Sequence, residues 1–549
     1  MAVAIVLVAA VVAVYWPSLH YQFILDDHRF TGDPRIQDAD HLWEYFTSFV
    51  WAQFTGGPPS FYRPLFLVWM RINFIVSGLS PWGWHLLSIA KHLLVAAFLG
   101  ILVHRLLRDW TAALLAATLF ALHPAQAESV AWVTVPDALV SGAILASLIF
   151  YVRYLDQLST NLSRDQNTRR KRKQVKSSAS GDIWLLASVA AFFAALLAKE
   201  TAIIFPAVIF CLELVRSRNT VPTQKADEKK GLGALLLSAT RRTLPFLCAF
   251  ALYLLMRLNA LSGKLSASTE NLALSTLFLS WPRILCFYLK AIFWPARSYS
   301  FADPILEQHF SISGFLLPAL ALAALLALTF PVIGWIRMRA SHQLAAPQVE
   351  RVEEAVTMGL LLLLLPLLLC LNLNALNPGD FLHGRYTYLP IAGLAILISV
   401  AWFVSGTLRL PLLCVAGLVA AVFGVLTVSQ EGQWTDDLTL FTVAHKLAPH
   451  NAPVARNLAD ARLQAALRSL DEEGCGKVMP VFEEVARQYP EDWYAWGALA
   501  ECFVQMNDLP QAEAAMHRAA DLSHDSRTIQ QWQELRQHMG LPAPDPSRK

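Results

Sequence analysis

Two adjacent acidic residues, Asp26 and Asp27, follow the first apolar run of the chain by only a few positions. Neighbouring carboxylates just beyond an apolar run can act as a general base or bind a divalent cation. A solvated loop start and a helix cap are the structural alternatives. The sequence does not require a cofactor, and the residues themselves leave open which aspartate would be the base.

A second group of titratable residues, His123, Glu128 and Asp137, surrounds a proline and contains no Lys or Arg. Single His and Glu residues are more often structural than functional, but several of them at the level of a membrane favour a site. Lys199 and Glu200 stand between two apolar runs. They are consistent with either a functional pair or a local ion pair.

Arg385 and Tyr386 lead into a further apolar run. The planar guanidinium of an arginine can clamp a phosphate group with two parallel hydrogen bonds. The structural alternative is an arginine whose charge reaches back to the membrane surface. Together with the carboxylates, Arg385 and Lys199 predict a cavity that combines a carboxylate base with cationic partners for a phosphate.

The composition shows which elements must position these residues. Hydrophobic residues make up 55% of the 549 residues and charged residues only 15%, and the mean hydropathy is +0.43. A soluble domain carries about 25% charged residues, so the chain is too apolar to be soluble throughout. The net charge of +3 comes from basic residues between apolar runs, which argues against a nucleic-acid partner.

Eleven apolar runs approach the roughly 17–25 residues that a helix needs to cross a bilayer. They are 2–19, 84–104, 111–123, 136–152, 183–198, 200–215, 243–259, 314–335, 357–374, 386–405 and 411–430. Two further apolar stretches, 64–79 and 275–297, carry cations, which predicts helices that lie in the membrane interface. The prediction is an all-α polytopic membrane domain over 1–430, with about eleven transmembrane helices and a large first outward loop, 20–83.

The basic residues predict the orientation. The loops on one side hold 21 Lys and Arg in 90 residues, including the run 169–173, whereas the opposite loops hold 10 in 143. The positive-inside rule places the first set in the cytoplasm. The N-terminus is then cytoplasmic and the C-terminal tail lies outside, as an odd number of spans requires. All the titratable groups described above fall on the outer side, which predicts one outward cavity.

The tail, 431–549, is polar and carries Trp, Ala and Leu at helical spacing. Segment 496–523 has its small and bulky residues at the offsets of the 34-residue tetratricopeptide repeat, in which two antiparallel helices interlock. A second copy of the pattern precedes it over 458–490. The tail is therefore predicted to be a short tetratricopeptide-repeat domain, and a generic array of helical hairpins is the alternative.

The order of the motifs resembles that of the transmembrane and tetratricopeptide-repeat O-mannosyltransferases and their bacterial relatives, which belong to the GT-C superfamily of membrane glycosyltransferases. The motifs are YQFILDDHRF, YRPL, LHPAQAESVAW, PD, AKETAI and GRYTYLP, followed by the repeats. The similarity covers nearly the whole chain, and the order of the motifs is specific although each is short.

The resemblance assigns roles to individual residues. The acidic motif of the family falls on Asp26 and Asp27 and favours Asp27 as the base. The resemblance implies that Arg385 and Lys199 bind the donor phosphate. The remaining cavity residues are Arg63, His123, Glu128, Asp137, Glu200 and Tyr386.

The resemblance also implies an activity. A sugar, mannose or a similar hexose, would move from a polyprenyl-phosphate carrier to an acceptor hydroxyl, with protein Ser or Thr favoured and the anomeric centre inverted. The repeats would hold the protein or glycan acceptor. The short tail favours a bacterial inner membrane, with the tail in the periplasm.

Two other classes of protein compete with this interpretation. A non-enzymatic membrane scaffold whose repeats recruit envelope proteins would explain the tail but not the outward carboxylates and arginine. A transporter of lipid-linked sugars would need charges within its spans and internal repeats. Repeats among the predicted spans are not evident in the sequence, which argues against a transporter.

Overall fold

The computed structural model describes residues 2–53, 61–168, 180–219, 232–263, 272–297, 301–303, 306–375, 382–523 and 526–541. The basic run 169–173 lies outside them. The chain divides into two compact units, Met1–Asp436 and Asp437–Lys549. Regular secondary structure within the described ranges is entirely helical.

The helices of the first unit are α1 Ala2–Tyr15, α2 Asp27–Thr31, α3 Pro34–Gln37, α4 Glu44–Thr47, α5 Pro64–Ser77, α6 Pro81–Leu107, α7 Trp110–Ala121, α8 Ala127–Ala131, α9 Asp137–Thr168, α10 Ser180–Ala198, α11 Phe205–Asn219, α12 Leu232–Ala260, α13 Leu274–Phe293, α14 Leu317–Gln343, α15 Ala346–Leu369, α16 Tyr388–Phe403 and α17 Arg409–Glu431. Short 3₁₀ segments precede α8, α11 and α16, and they are Pro124–Gln126, Glu200–Ile204 and Gly384–Thr387. The titratable motifs of the sequence therefore fall at or beside helix ends.

Eight helices in the described part of the chain are long and apolar enough to cross a membrane. They are Pro81–Leu107, Asp137–Thr160, Gly233–Ala260, Leu274–Phe293, Ile312–Gln343, Ala346–Leu369, Gly384–Phe403 and Gly406–Trp434. Four shorter apolar helices accompany them. The predicted count of eleven is not confirmed.

The sequence predicted an interfacial helix over 275–297, and the corresponding helix Leu274–Phe293 is long and apolar enough to cross a membrane. Its Arg283 pairs with Glu307 at 2.6 Å. Protein as well as water can therefore neutralise the charge of Arg283.

The long helices pack closely in the core of the first unit. Helices α15 and α16 approach each other at Gly359 and Gly393. A Cβ atom at Gly393 would lie 2.4 Å from the backbone nitrogen of Leu363, so no larger residue fits there without moving the helices. This packing fixes the position of α16, and with it the 3₁₀ segment that carries Arg385.

The described part of the loop 20–83 is folded around a buried ion pair. Arg35 and Asp33 are both fully buried and pair at 2.8 Å. Arg35 also donates to the carbonyl oxygen of Val50 at 2.5 Å. Asp33 accepts from the backbone nitrogen of Arg35 at 2.9 Å and thereby caps α3. The described part of the loop that precedes residue 54 is thus held by its own side chains.

The second unit consists of helical hairpins, formed by α18 Asp437–Leu447, α19 Ala452–Glu473, α20 Cys475–Gln488, α21 Trp493–Gln505, α22 Leu509–Ser523 and α23 Ser526–His538. Of the residues whose spacing predicts an interlocked hairpin, Leu499, Ala500 and Ala512 are buried. Phe503 is half-buried and packs against the same core. Helices α21 and α22 form the hairpin that the repeat pattern predicts over 496–523.

A disulfide that the sequence analysis did not predict joins Cys475 of α20 to Cys502 of α21, with their Cα atoms 5.2 Å apart. The bond closes a loop of 27 residues, which typically stabilises a domain by about 3 kcal/mol. We expect the double variant Cys475→Ser, Cys502→Ser to unfold at a lower temperature than the parent protein. Cys414→Ser, which removes an exposed thiol, is the control. Alkylation of both cysteines without prior reduction would contradict the disulfide.

Candidate active site

A cavity of about 520 Å³ lies in the first unit. Its walls come from the loop 20–83, the segment 132–136, the residues just after α10, the C-terminal part of α12 and the 3₁₀ segment before α16. The sequence-predicted residues that line it are Asp26, Arg63, Lys199, Glu200, Arg385 and Tyr386. Asp137 lines a smaller neighbouring cavity of about 80 Å³ together with Tyr386. Asp27, His123 and Glu128 line neither of the two.

Arg63 and Glu200 form a bidentate ion pair on the cavity wall, although they are 137 residues apart in the chain. Nε of Arg63 donates to one carboxylate oxygen at 2.9 Å, and a terminal nitrogen donates to the other at 2.5 Å. This geometry satisfies both oxygens of Glu200 with charge-assisted hydrogen bonds. Glu200 therefore positions Arg63 and is poorly suited to act as a base.

Lys199 is buried beside Asp137, the first residue of α9. The two side chains pair at 2.6 Å, and the ammonium group lies 5.0 Å from the centre of the Tyr386 ring. Burial lowers the pKa of Lys199, and the Asp137 carboxylate opposes that effect. The carboxylate therefore holds the cation at the boundary between the two cavities.

Glu128 is buried and organises Arg385 from behind the cavity wall. Its carboxylate accepts from the backbone nitrogen of Arg385 at 3.1 Å and from a terminal guanidinium nitrogen at 3.2 Å. Nδ1 of His383 lies 3.1 Å from the same carboxylate. The guanidinium group also stacks on Trp132, with 4.6 Å between Cζ and the ring centre. Arg385 is thus held on two sides while it still lines the cavity.

The two adjacent aspartates face different surroundings. Asp27 is fully buried, and its carboxylate accepts from the backbone nitrogen of Ile24 at 3.1 Å and from the backbone nitrogen and hydroxyl of Thr134 at 3.2 and 2.7 Å. Burial outweighs these hydrogen bonds and raises the pKa of Asp27 to about 7. Asp26, in contrast, is half-buried and lines the cavity. This geometry does not support the preference for Asp27 as the base, because its oxygens tie the first loop to the Thr134 segment.

A metal ion was one interpretation of the aspartate pair. Within the described ranges, no group of three or more His, Cys, Asp or Glu side chains is arranged to hold a metal ion. Both oxygens of Asp27 already accept from N–H or O–H donors, which a cation would have to displace. We therefore derive no step through a metal ion.

His123 caps the 3₁₀ segment that precedes α8. Its Nδ1 accepts from the backbone nitrogen of Ala125 at 3.2 Å, and its Nε2 donates to the carbonyl oxygen of Ile292 at 2.9 Å. Both ring nitrogens are therefore engaged with the backbone. The structure places this predicted site residue in the scaffold that supports Glu128, away from the cavity surface.

The cavity residues that the sequence analysis did not single out include Arg29, Trp132, Tyr253 and Arg257. Arg257 lies near the end of the predicted run 243–259, just as Lys199 follows one predicted run and Arg385 precedes another. That signal could have identified it. Trp132 is the last residue of the LHPAQAESVAW motif, but nothing in its neighbours indicates that an arginine stacks on it.

The chain is similar in sequence to known proteins. Residues 477–537 match the family model described as tetratricopeptide repeat. The chain is 24% identical to mouse protein O-mannosyl-transferase TMTC3 over 94% of this chain and 54% of that protein. It is 26% identical to Drosophila melanogaster Tmtc1 over 80% of this chain and 57% of that protein. The resemblance to these O-mannosyltransferases is confirmed. The chain spans a little over half the length of these relatives.

The human relative TMTC4, also a protein O-mannosyl-transferase by name, is 27% identical over 74% of this chain and 56% of that protein. The predicted class, an all-α polytopic membrane protein with a tetratricopeptide-repeat tail, is confirmed. Among solved structures, the Archaeoglobus fulgidus oligosaccharyltransferase in its apo form aligns with a TM-score of 0.38 and 14% identity, over 83% of this chain and 59% of that chain. ArnT from Cupriavidus metallidurans, bound to undecaprenyl phosphate, aligns with a TM-score of 0.37 and 15% identity, over 94% of this chain and 77% of that chain.

Proposed function

We propose that the protein is a membrane glycosyltransferase that moves a hexose such as mannose from a polyprenyl-phosphate carrier to a hydroxyl group of a protein Ser or Thr. The observation that carries this proposal is the single cavity lined by the Asp26 carboxylate and by the cations Arg385 and Lys199. The relatives' names, protein O-mannosyl-transferase, support the class of reaction.

Asp26 is the proposed base. It takes the proton of the acceptor hydroxyl as that oxygen forms a bond to the anomeric carbon. The bond between the anomeric carbon and the phosphate oxygen breaks in the same step, and its electron pair leaves with the lipid phosphate. A single displacement of this kind inverts the anomeric centre.

Arg385 and Lys199 are the proposed phosphate partners. Negative charge grows on the leaving phosphate, and preorganised cations in a site that excludes water stabilise that charge most effectively. Each cation has its own buried carboxylate, Glu128 for Arg385 and Asp137 for Lys199. The carboxylates hold the cations in place before the donor binds, so little reorganisation is needed during the reaction.

The tail is proposed to face an oxidising compartment and to hold the acceptor. The disulfide between Cys475 and Cys502 supports this location, since such bonds persist in the periplasm, in the endoplasmic reticulum and outside the cell. The charge asymmetry of the loops supports the same orientation. A bacterial inner membrane, with the N-terminus in the cytoplasm, is the proposed location.

The decisive experiment compares glycopeptides from cells that contain the gene, lack it, or carry Asp26→Asn in its place. The glycosyltransferase proposal expects peptides with an added hexose to disappear on deletion, to return with the parent gene and to stay absent with Asp26→Asn. A scaffold would work equally well with Asp26→Asn, because that change leaves the repeats intact. Restoration of the glycopeptides by Asp26→Asn would therefore reject catalysis by this cavity.

A second prediction concerns orientation. A reporter that is active only in the cytoplasm should be inactive when fused after Lys549 and active when inserted next to Gly406, in the loop between α16 and α17. The reason is the excess of Lys and Arg in the loops that share the side of Gly406. Activity at Lys549 would place the repeats in the cytoplasm and contradict the proposed topology.

A further inference from the structure

A group of cations that the proposed reaction does not use lies beside α9, 19 residues along the helix from Asp137. It consists of Arg105, Arg108, Arg153 and Arg351 around Asp156, and we call it the Asp156 cluster. Along an α-helix, the 19 residues from Asp137 to Asp156 span about 28 Å. That length is close to the roughly 30 Å of a bilayer's hydrocarbon core, so the cluster and the cavity lie near opposite membrane surfaces.

The cluster contains more positive than negative charge. Arg108 pairs with one oxygen of Asp156 at 3.0 Å, and Arg351 pairs with the other at 2.6 Å. Arg105 lies close enough to Arg108 and Arg153 to be repelled by both. In the part of the chain that the structure describes, Asp156 is the one carboxylate with which any of the four arginines forms an ion pair. The four arginines therefore share one directly paired carboxylate, and the nearby Glu354 is paired with Arg216 at 2.5 Å.

One donor of the cluster is left without a partner. Nε of Arg105 is buried and makes no hydrogen bond, whereas the carbonyl oxygen of the same residue accepts from Arg351 at 3.4 Å. A guanidinium group stays charged in proteins, so it cannot avoid this cost by losing a proton. Buried donors almost always have a partner, which points to a ligand with acceptor oxygens.

Aromatic residues place the cluster at the depth of lipid headgroups. The guanidinium of Arg153 stacks on Trp184, with Cζ 3.6 Å from the ring centre. Trp110, which is 63% exposed, follows Arg108 in the chain and stacks on His104. Tryptophans concentrate at the boundary between the bilayer and water. The arginines thus lie where the phosphate of a phospholipid would be found.

We propose that the Asp156 cluster binds the phosphate group of an anionic phospholipid headgroup. Basic pockets between transmembrane helices on the cytoplasmic side suit such headgroups. The cluster joins α6, α9 and α15, and α9 begins at the Asp137 that holds Lys199. A bound headgroup would reduce the repulsion between the arginines and stabilise the bundle. This site is independent of the glycosyltransferase proposal.

The test uses the full-length protein, delipidated in a neutral detergent. Phosphatidylglycerol should raise the unfolding temperature and should be retained in native mass spectrometry, whereas phosphatidylcholine should do neither. In the double variant Arg105→Gln, Arg108→Gln, the dissociation constant for phosphatidylglycerol should rise at least tenfold. Arg337→Gln is the matched control, because Arg337 is exposed and pairs loosely with Glu353 at 3.9 Å, outside the cluster. Its affinity should equal that of the parent protein.

Two further measurements separate the remaining explanations. Asp156→Asn removes the negative charge of the cluster and should bind phosphatidylglycerol at least as tightly as the parent protein. Arg108→Gln alone changes a half-exposed side chain, so a loss of affinity in it cannot be ascribed to unfolding. Equal stabilisation by phosphatidylcholine, or unchanged affinity in the double variant, would overturn the proposal. Stabilisation by inorganic phosphate alone, lost in the double variant, would replace the lipid source with a soluble one.

Discussion

Asp26→Asn is expected to reduce sugar transfer by about 10²–10⁴-fold, the usual effect of removing a general base. The amide has nearly the shape of the carboxylate but cannot accept the proton of the acceptor hydroxyl. Asp26 lines the cavity and is half-buried, so a carboxamide of nearly the same size can replace its carboxylate without overpacking the first loop. The measurement is transfer of labelled hexose from a polyprenyl-phosphate donor by the full-length protein, with donor binding measured in parallel. Donor binding should be retained.

Asp27→Asn is the matched control, since it makes the same chemical change one position further along. Both oxygens of Asp27 accept from donors on Ile24 and Thr134. An amide group would turn an N–H toward one of these donors and leave it unsatisfied, at a cost of roughly 1–3 kcal/mol. We expect the unfolding temperature to fall in Asp27→Asn and to fall less in Asp26→Asn, because Asp27 is fully buried and Asp26 is half-buried. Full activity in Asp26→Asn, together with complete inactivity in a stably folded Asp27→Asn, would restore Asp27 as the base.

The choice between these aspartates shows where sequence reasoning ends. The motif that contains them is visible in the chain, but neighbouring residues in a loop point in different directions. Which one is buried depends on Thr134, which is 107 residues away. The hydrogen bonds that occupy Asp27 therefore become apparent only when the two segments are brought together.

Apolar runs and charge patterns predicted more of the fold than of the site. Long helices form wherever the chain must bury its backbone polar groups in lipid, so their positions follow from hydropathy. The interfacial helix predicted over 275–297 stays a prediction, because Leu274–Phe293 is also long and apolar enough to cross a membrane. Its cations argued against a span, yet the ion pair from Arg283 to Glu307 supplies a partner that the local pattern does not reveal.

The pairings within the site were equally hidden. The sequence identified Glu128 and Arg385 as separate features, and the structure joins them across 257 residues. The same holds for Arg63 and Glu200, whereas Lys199 pairs with Asp137 and not with its neighbour Glu200. Local spacing therefore indicated which residues could take part in chemistry, but the tertiary contacts decide which carboxylates position cations and which line the cavity.

Arg385→Ala is expected to weaken both donor binding and turnover. The phosphate is present in the ground state and in the transition state, so a residue that contacts it contributes to both. Removal of one preorganised donor to a developing negative charge typically costs about 10²–10³ in turnover. Arg385→Lys should recover only part of the loss, because an ammonium group lacks the two-pronged geometry of the guanidinium. Donor binding and initial transfer rates measure the two effects separately.

A loss of stability could imitate this result, because Arg385→Ala removes a cation from the buried carboxylate of Glu128. An unpaired buried charge is strongly destabilising. The double variant Arg385→Ala, Glu128→Gln removes that charge as well and should regain part of the unfolding temperature that Arg385→Ala loses. If Arg385 binds the phosphate, the double variant stays as inactive as Arg385→Ala. If transfer recovers together with stability, Arg385 only supports the fold and the phosphate must bind elsewhere in the cavity.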